Sequence, residues 1–139
     1  MPETPKLTVD VIVRVWDKDR LQGIVLIERK NPPLGLAIPG GFVEIGERVE
    51  TAAVREMWEE IGIEVKLAHV LGVYSDPKRD PRFHTVSVVF VGDAVGEPTA
   101  ASDASEASVY RLEEIPLERL VFDHRKIVLD FLRGVTCQL

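Results

Sequence analysis

An α+β domain is predicted from three observations. β-rich segments recur along the chain, an amphipathic helix with its carboxylates on one side interrupts them, and a second helical pattern lies near the C-terminus. With 139 residues and 45% hydrophobic content, the chain fits one domain over residues 1–139 with a proper core.

The elements follow in order. Residues 7–15 and 23–28 are β-rich, and the polar turn Asp17-Lys18-Asp19-Arg20 between them marks a hairpin or a neighbouring pair. Arg29-Lys30-Asn31-Pro32-Pro33-Leu34-Gly35 reads as a loop, and 36–39 as a short strand. Gly40-Gly41, after Pro39, read as a turn that side chains would obstruct and that leaves a carbonyl free. A helix then carries Val54, Met57, Trp58 and Ile61 on one side and ends at Gly62, a C′ residue able to take positive φ. Residues 63–74 are largely extended, 75–82 form a Pro- and charge-rich loop, and 84–91 alternate as a strand. The stretch 92–105 is small and polar, the most mobile part expected, and 106–112 gives a last strand. Within 123–132, Ile127, Val128, Phe131 and Leu132 recur at helical spacing, with Asp123 placed to be the N-cap.

The central helix carries the chemistry. At 100° per residue, Glu56, Glu59 and Glu60 fall within about a 100° arc, opposite the apolar set, so one face is expected to be buried and the acidic one open. Like charges at i,i+3 and i,i+4 each cost a helix roughly 0.2–0.5 kcal/mol, so the cluster is not there for helix stability. A hard cation such as Mg²⁺ or Mn²⁺, which favours oxygen ligands, removes that repulsion.

The full spacing is more specific than the cluster. Gly41, five residues, Glu47, seven residues, Arg55-Glu56, an apolar residue, any residue, Glu59-Glu60, any residue, Gly62 and an apolar residue fill every fixed position of a motif that resembles the Nudix box. It covers residues 41–63. The resemblance implies a loop–helix–loop that hydrolyses a diphosphate linked to another moiety, with Mg²⁺ (or Mn²⁺) held by the Gly41 carbonyl, Glu56, Glu59 and Glu60. Together with the strand and helix pattern it implies a Nudix-type α/β/α sandwich, a mixed sheet between helices. Glu47 and Arg55 look like a pair bracing the loop against the helix, a task that suits the fixed fork of Arg.

Metals held there would bridge the diphosphate oxygens, neutralise charge at the attacked phosphorus and acidify a water, which then needs only a base. Glu56 and Glu59 are catalytic candidates within the box. Nudix enzymes often draw the base or an extra ligand from a later loop, where this chain offers Asp103 and Glu106; Glu106, ahead of the final strand, is favoured.

Composition narrows the partners. A net charge of −6 and a pI near 5.1 argue against a nucleic acid polymer, whose binding relies on Lys and Arg. A small anionic substrate remains open if metals supply the positive charge. Cys137 is the only cysteine, so no internal disulfide forms; with no signal-peptide h-region and no run near about 18 apolar residues, a cytoplasmic protein without a membrane partner is expected. The glycines at 41–46 are not followed by Lys-Ser or Lys-Thr, which sets aside a P-loop kinase.

Substrate choice lies outside the box. Residues 72–87, with Lys30-Asn31-Pro32-Pro33 and Phe122-Asp123-His124, resemble the corresponding parts of small ADP-ribose pyrophosphatases. Arg29, Arg79 or Arg82 is expected to hold a phosphate, and Phe83 or Tyr74 to stack on adenine. His84 and His124 read as hydrogen-bonded structural residues. Larger ADP-ribose pyrophosphatases carry an N-terminal sheet that assists dimerisation, for which this chain is too short, so a more open pocket and broader selectivity are expected; a homodimer stays among the open partners. The reading is a Mg²⁺-dependent Nudix pyrophosphohydrolase that cleaves ADP-ribose, a nucleoside diphosphate derivative, to AMP and ribose 5-phosphate. The alternatives are house-cleaning of nucleoside triphosphates, oxidised ones included, and an ADP-ribose-sensing module.

Overall fold

The computed structural model describes residues 1–100 and 104–134, Ser105 by its backbone alone. Strands β1 (Lys6–Asp17) and β2 (Arg20–Arg29) form the expected hairpin, longer at both ends than the apolar runs. Strands β3 (Leu36–Ala37) and β4 (Gly40–Phe42) lead to helix α1 (Val49–Ile61). Strands β5 (Lys66–Tyr74), β6 (Thr85–Val95) and β7 (Ala104–Tyr110) follow, and after two short 3-10 turns helix α2 (His124–Leu132) ends the described chain. The sheet is mixed: β1 runs parallel to β6 and antiparallel to β2.

Period-two alternation in β1 divides its side chains between two cores. Val9, Val11, Val13 and Val15 join Val25, Ile27 and Phe90 beneath Ala52, Ala53, Met57 and Ile61 of α1. On the other face Ile12 joins Ile24, Leu26, Val89 and Val91 against Ile127 and Val128 of α2. Burying each such Val, Leu, Ile or Met side chain contributes roughly 1.5–3 kcal/mol. The helices are thereby fixed to opposite faces.

The site's position comes from a split in the sheet. β1 and β2 pair near their turn, from Arg14↔Ile24 to Asp17↔Arg20, and then separate. Beyond that point β1 pairs with β4 over Thr8–Asp10, and β2 with β3 at Ile27 and Glu28. The segment from Leu36 to Phe42 is thus wedged between the two strands, and a cleft opens along it.

Four expectations are corrected. Gly40 and Gly41 are not a turn but the start of β4, opposite Asp10 and Val9. Residues 92–95 belong to β6, because Gly92 lies under Val65, whose methyl group occupies the place of a Cβ; small size here means close packing. Asp123 sits at the N-cap of α2 without bonding to its backbone, since its carboxylate is taken by Arg79. Finally, α1 is rotated relative to the predicted face. Ala52 and Ala53 allow close approach to the sheet, so Met57, Glu60 and Ile61 are buried while Val54 and Trp58 are exposed.

Gly62 closes α1 at φ 64°, its N–H bonding back to the Trp58 carbonyl and the next N–H, that of Ile63, to the Met57 carbonyl. A Cβ there would meet only Thr99 at ordinary contact distance, so the requirement is conformational rather than steric. Gly62→Ala should therefore cost about 1–2 kcal/mol in urea denaturation, and Gly62→Asn, which tolerates the left-handed region, clearly less.

Candidate functional site

The cleft has a volume of about 490 Å³ and takes walls from both faces of the split sheet. Glu56 and Glu60 enter from α1, Gly40 and Gly41 from β4, and Asp10 from β1. Arg29, Arg82 and Phe122 complete the lining.

Arg55 organises the acidic wall. Its Nε and Nη2 each donate to one oxygen of Glu47 at 2.8 Å, Nη2 also reaches the Phe42 carbonyl, and Nη1 donates to Glu56 and Glu59 at 3.0 Å. Those Arg55 bonds, with the Glu44 N–H, hold the Glu47 carboxyl down at about 2. The guanidinium keeps its proton all the more firmly for its bond to Glu47. One side chain thus ties the loop before α1 to the helix through three box glutamates, Glu47, Glu56 and Glu59.

Burial pushes the Glu56 carboxyl up, against the pull of Arg55 and with the Glu59 charge adding to the rise. A half-buried acid of this kind is matched to accepting a proton. Its carboxylate lies against Gly41, where a Cβ would stand. Glu60 is only 7% exposed yet faces the cleft, and Glu59 is open to solvent outside the cleft wall. Among the described residues, no three His, Cys, Asp or Glu side chains are gathered as they would be around a metal ion. The donors nevertheless fit a hard cation: Glu56 and Glu60 present only oxygens, and the Gly41 carbonyl has two lone pairs, one of which can serve the ladder and one a cation. Gly41 is also the one cradle where a side chain would displace Glu56.

A polar floor that the sequence reading did not assemble lies beneath. Asp10 faces the cleft from a strand of valines, against Gly40, and Ser87 donates a short hydrogen bond to it. Burial raises Asp10 to about 6. His124 is neutral: its Nδ1 accepts the Ile38 N–H at 2.9 Å, its Nε2 faces Asp10, and burial lowers it to about 3. Arg79 is buried in a bidentate pair with Asp123 and donates to Thr85 at 2.7 Å. The signal for Asp10 was there, a single acid inside an apolar strand, since a buried charge is rarely incidental.

The remaining candidates divide. Arg29 and Arg82 line the cleft, Arg82 clasped by Asp80 and Arg29 donating to the Pro32 and Pro33 carbonyls. Phe83 is 44% exposed beside Phe42, ring centroids 6.1 Å apart, and under Arg82. Tyr74 donates to Asp130 of α2 and packs in the core beneath that helix, away from the cleft. His84 is bonded to the Ser75 carbonyl oxygen. Glu106 is exposed on β7 opposite Glu28, accepts from Ser108, and does not line the cleft. Asp103 and Cys137 lie outside the described residues.

The two buried groups give opposite pH signatures. His124 has a folded pKa below its unfolded 6.5, so the unfolded chain binds the extra proton and stability falls as pH drops from 6.5 towards 3. Asp10 has a folded pKa above its unfolded 3.8, so stability rises on acidification between about 6 and 3.8, opposing His124 there. In urea titrations from pH 7 to 5, His124→Gln should lose less stability than the wild type, and Asp10→Asn more.

Comparison with known proteins agrees with this geometry. The family model described as the NUDIX domain matches residues 5–131. Over 132 residues the chain is 48% identical to the ADP-ribose pyrophosphatase of Methanocaldococcus jannaschii, covering 93% of this chain and 74% of that protein. It is 31% identical over 133 residues to the ADPR responsive transcriptional repressor NtrR of Acinetobacter baylyi, with 90% of this chain covered but about half, 52%, of that protein. Among solved structures, a MutT/nudix family protein from Enterococcus faecalis superposes with a TM-score of 0.82 at 30% identity, over 96% of this chain and 63% of that one. No described helix is long and apolar enough to cross a membrane. A box filled at every fixed position, a sheet split to receive it, and a family match over most of the length establish that this chain belongs to the Nudix family.

Proposed function

We propose that this chain is a Mg²⁺-dependent pyrophosphohydrolase that cleaves ADP-ribose to AMP and ribose 5-phosphate. The observation that carries the reading is a single cleft lined both by box carboxylates, Glu56 and Glu60, and by Arg29 and Arg82. A nucleoside diphosphate linked to a sugar needs both. The 48% identity to an ADP-ribose pyrophosphatase supports that substrate.

In this reading Glu56, Glu59, Glu60 and the Gly41 carbonyl hold the cation, with Arg55 and Glu47 fixing the glutamates before it arrives. When bound, the cation supplies charge neutralisation on the diphosphate and acidifies the attacking water. Glu56, its carboxyl raised by burial, accepts the proton. Arg29 and Arg82 take phosphate charge, Phe83 offers adenine a ring to stack on, and Arg79 acts from below by holding Thr85 and Asp123. Glu106 would contribute only from outside the present cleft wall.

Glu60→Gln should lower turnover by about 10²-fold or more in saturating Mg²⁺ while circular dichroism stays unchanged. Near-wild-type turnover would remove Glu60 from the site. In a panel assay, kcat/KM for ADP-ribose should exceed that for dGTP and 8-oxo-dGTP by a wide margin; preference for the triphosphates would overturn the substrate assignment. For the downstream acid, Glu106→Gln and Asp103→Asn are assayed side by side. A lower kcat at unchanged KM in Glu106→Gln gives Glu106 the proton. Loss confined to Asp103→Asn moves the role there, and full activity in both leaves it with Glu56.

The second reading, an ADP-ribose sensor without turnover, is favoured by the 31% identity to an ADPR-responsive repressor. Binding of ADP-ribose without any released AMP would select it.

A further inference from the structure

The Phe122-Asp123-His124 run makes three separate clasps. His124 holds the Ile38 N–H and Asp123 holds Arg79. Phe122 has no part in the chemistry described so far, yet it lines the cleft and takes φ 58°, a left-handed backbone that a bulky aromatic residue rarely adopts. Such a conformation persists only where the surroundings over-determine it, and it clusters at functional sites.

Two cations converge on its ring. The guanidinium carbon of Arg29 lies 4.9 Å from the ring centroid and that of Arg82 lies 5.2 Å from it, so the two stand within about 10 Å of each other. That is about one Debye length at moderate ionic strength, so their repulsion is only partly screened, with Asp80 offsetting it at Arg82. The Pro32 and Pro33 carbonyls on one side and Asp80 on the other hold each guanidinium separately. Among these contacts, the Phe122 ring is the one partner they share, and its negative π face attracts both. A Leu would fill the apolar space at the edge of the α1 core equally well, but it has no such face.

We infer that Phe122 is a positioning residue for substrate affinity. Its ring gathers Arg29 and Arg82 into one dicationic clamp in the cleft wall, set to receive the anionic diphosphate of the substrate. The assignment rests on the proposed hydrolase reading and adds to it the element that fixes the two arginines relative to one another. Because the clamp grips the diphosphate in ground state and transition state alike, Phe122 governs KM and leaves kcat nearly alone.

The test is a mutant cycle on the best substrate of the panel, so that inactivity on ADP-ribose overturns the substrate assignment and not this one. Phe122→Leu should raise KM about tenfold, with kcat within about twofold and an unchanged thermal midpoint. Phe122→Tyr, which restores a π face, should return KM to the wild-type value. In the Arg29→Gln, Arg82→Gln background, Phe122→Leu should change KM no further, because its effect runs through those side chains. Unchanged KM in folded Phe122→Leu, an equal KM rise in the Gln background, or a fall in kcat at constant KM would each overturn the inference. Should Phe122→Leu fail to fold, Phe122→Met, apolar and ringless, is read by the same criteria.

Discussion

Two adjacent glycines set the terms for the whole site. Gly40 and Gly41 stand where β4 meets β1, and the Asp10 carboxylate lies against the first and the Glu56 carboxylate against the second, in the space their side chains would take. One contact comes from the sheet and the other from α1. A residue larger than glycine at either point would push a carboxylate out of the cleft and separate the floor from the acidic wall. The close approach of backbone to acid is therefore what allows one cleft to draw on both cores, and the alanines at 52 and 53, which let α1 come down onto the sheet, serve the same end.

Around that contact the electrostatics are arranged in advance. Arg55 neutralises the glutamates nearest the loop, and Glu47, held ionised by the same guanidinium, keeps Arg55 aimed. On the floor, burial acts in opposite senses on its two titratable neighbours, keeping His124 uncharged and making Asp10 a weaker acid than usual. At neutral pH the floor thus carries no charge on His124, while Asp10 gives up its charge only on acidification towards 6. The cleft lining thus combines guanidiniums, suited to an anion, with carboxylates, suited to a cation.

What could be read from the sequence was what is local along it. The spacing of Gly41, Glu47, Arg55, Glu56, Glu59 and Glu60 spans one loop and one helix, so the order of residues fixes their meeting, and the period-two and helical patterns located most strands and both helices. The failures came from packing at a distance. Its apolar type places Trp58 on the buried face, but Ala52 and Ala53 decide how the helix lies, and Trp58 is left outside. Gly92 looked like loop because it is small, when its size answers to Val65. The floor joins Asp10 to Ser87 across 77 residues and Ile38 to His124 across 86, pairings that no short window contains. Phe122 and the arginines it holds belong to the same class.

The parallel ladder between β1 and β6 has a consequence for how the molecule comes into being. The first described strand is the central one, and its longest partner begins at Thr85, with Arg14 meeting Asp93 across 79 residues. On a ribosome, β1 can fold back on β2 early, but its other edge stays unsatisfied until residues 85–95 have been synthesised. Until then the valines of β1 are a half-covered strand with an open edge, the feature that invites association between nascent chains. Closure of that ladder is a long-loop event with a correspondingly high entropic barrier. The same ladder brings Ser87 onto Asp10, so this strand pairing and the first contact of the cleft floor form together, before β7 and His124 can add theirs.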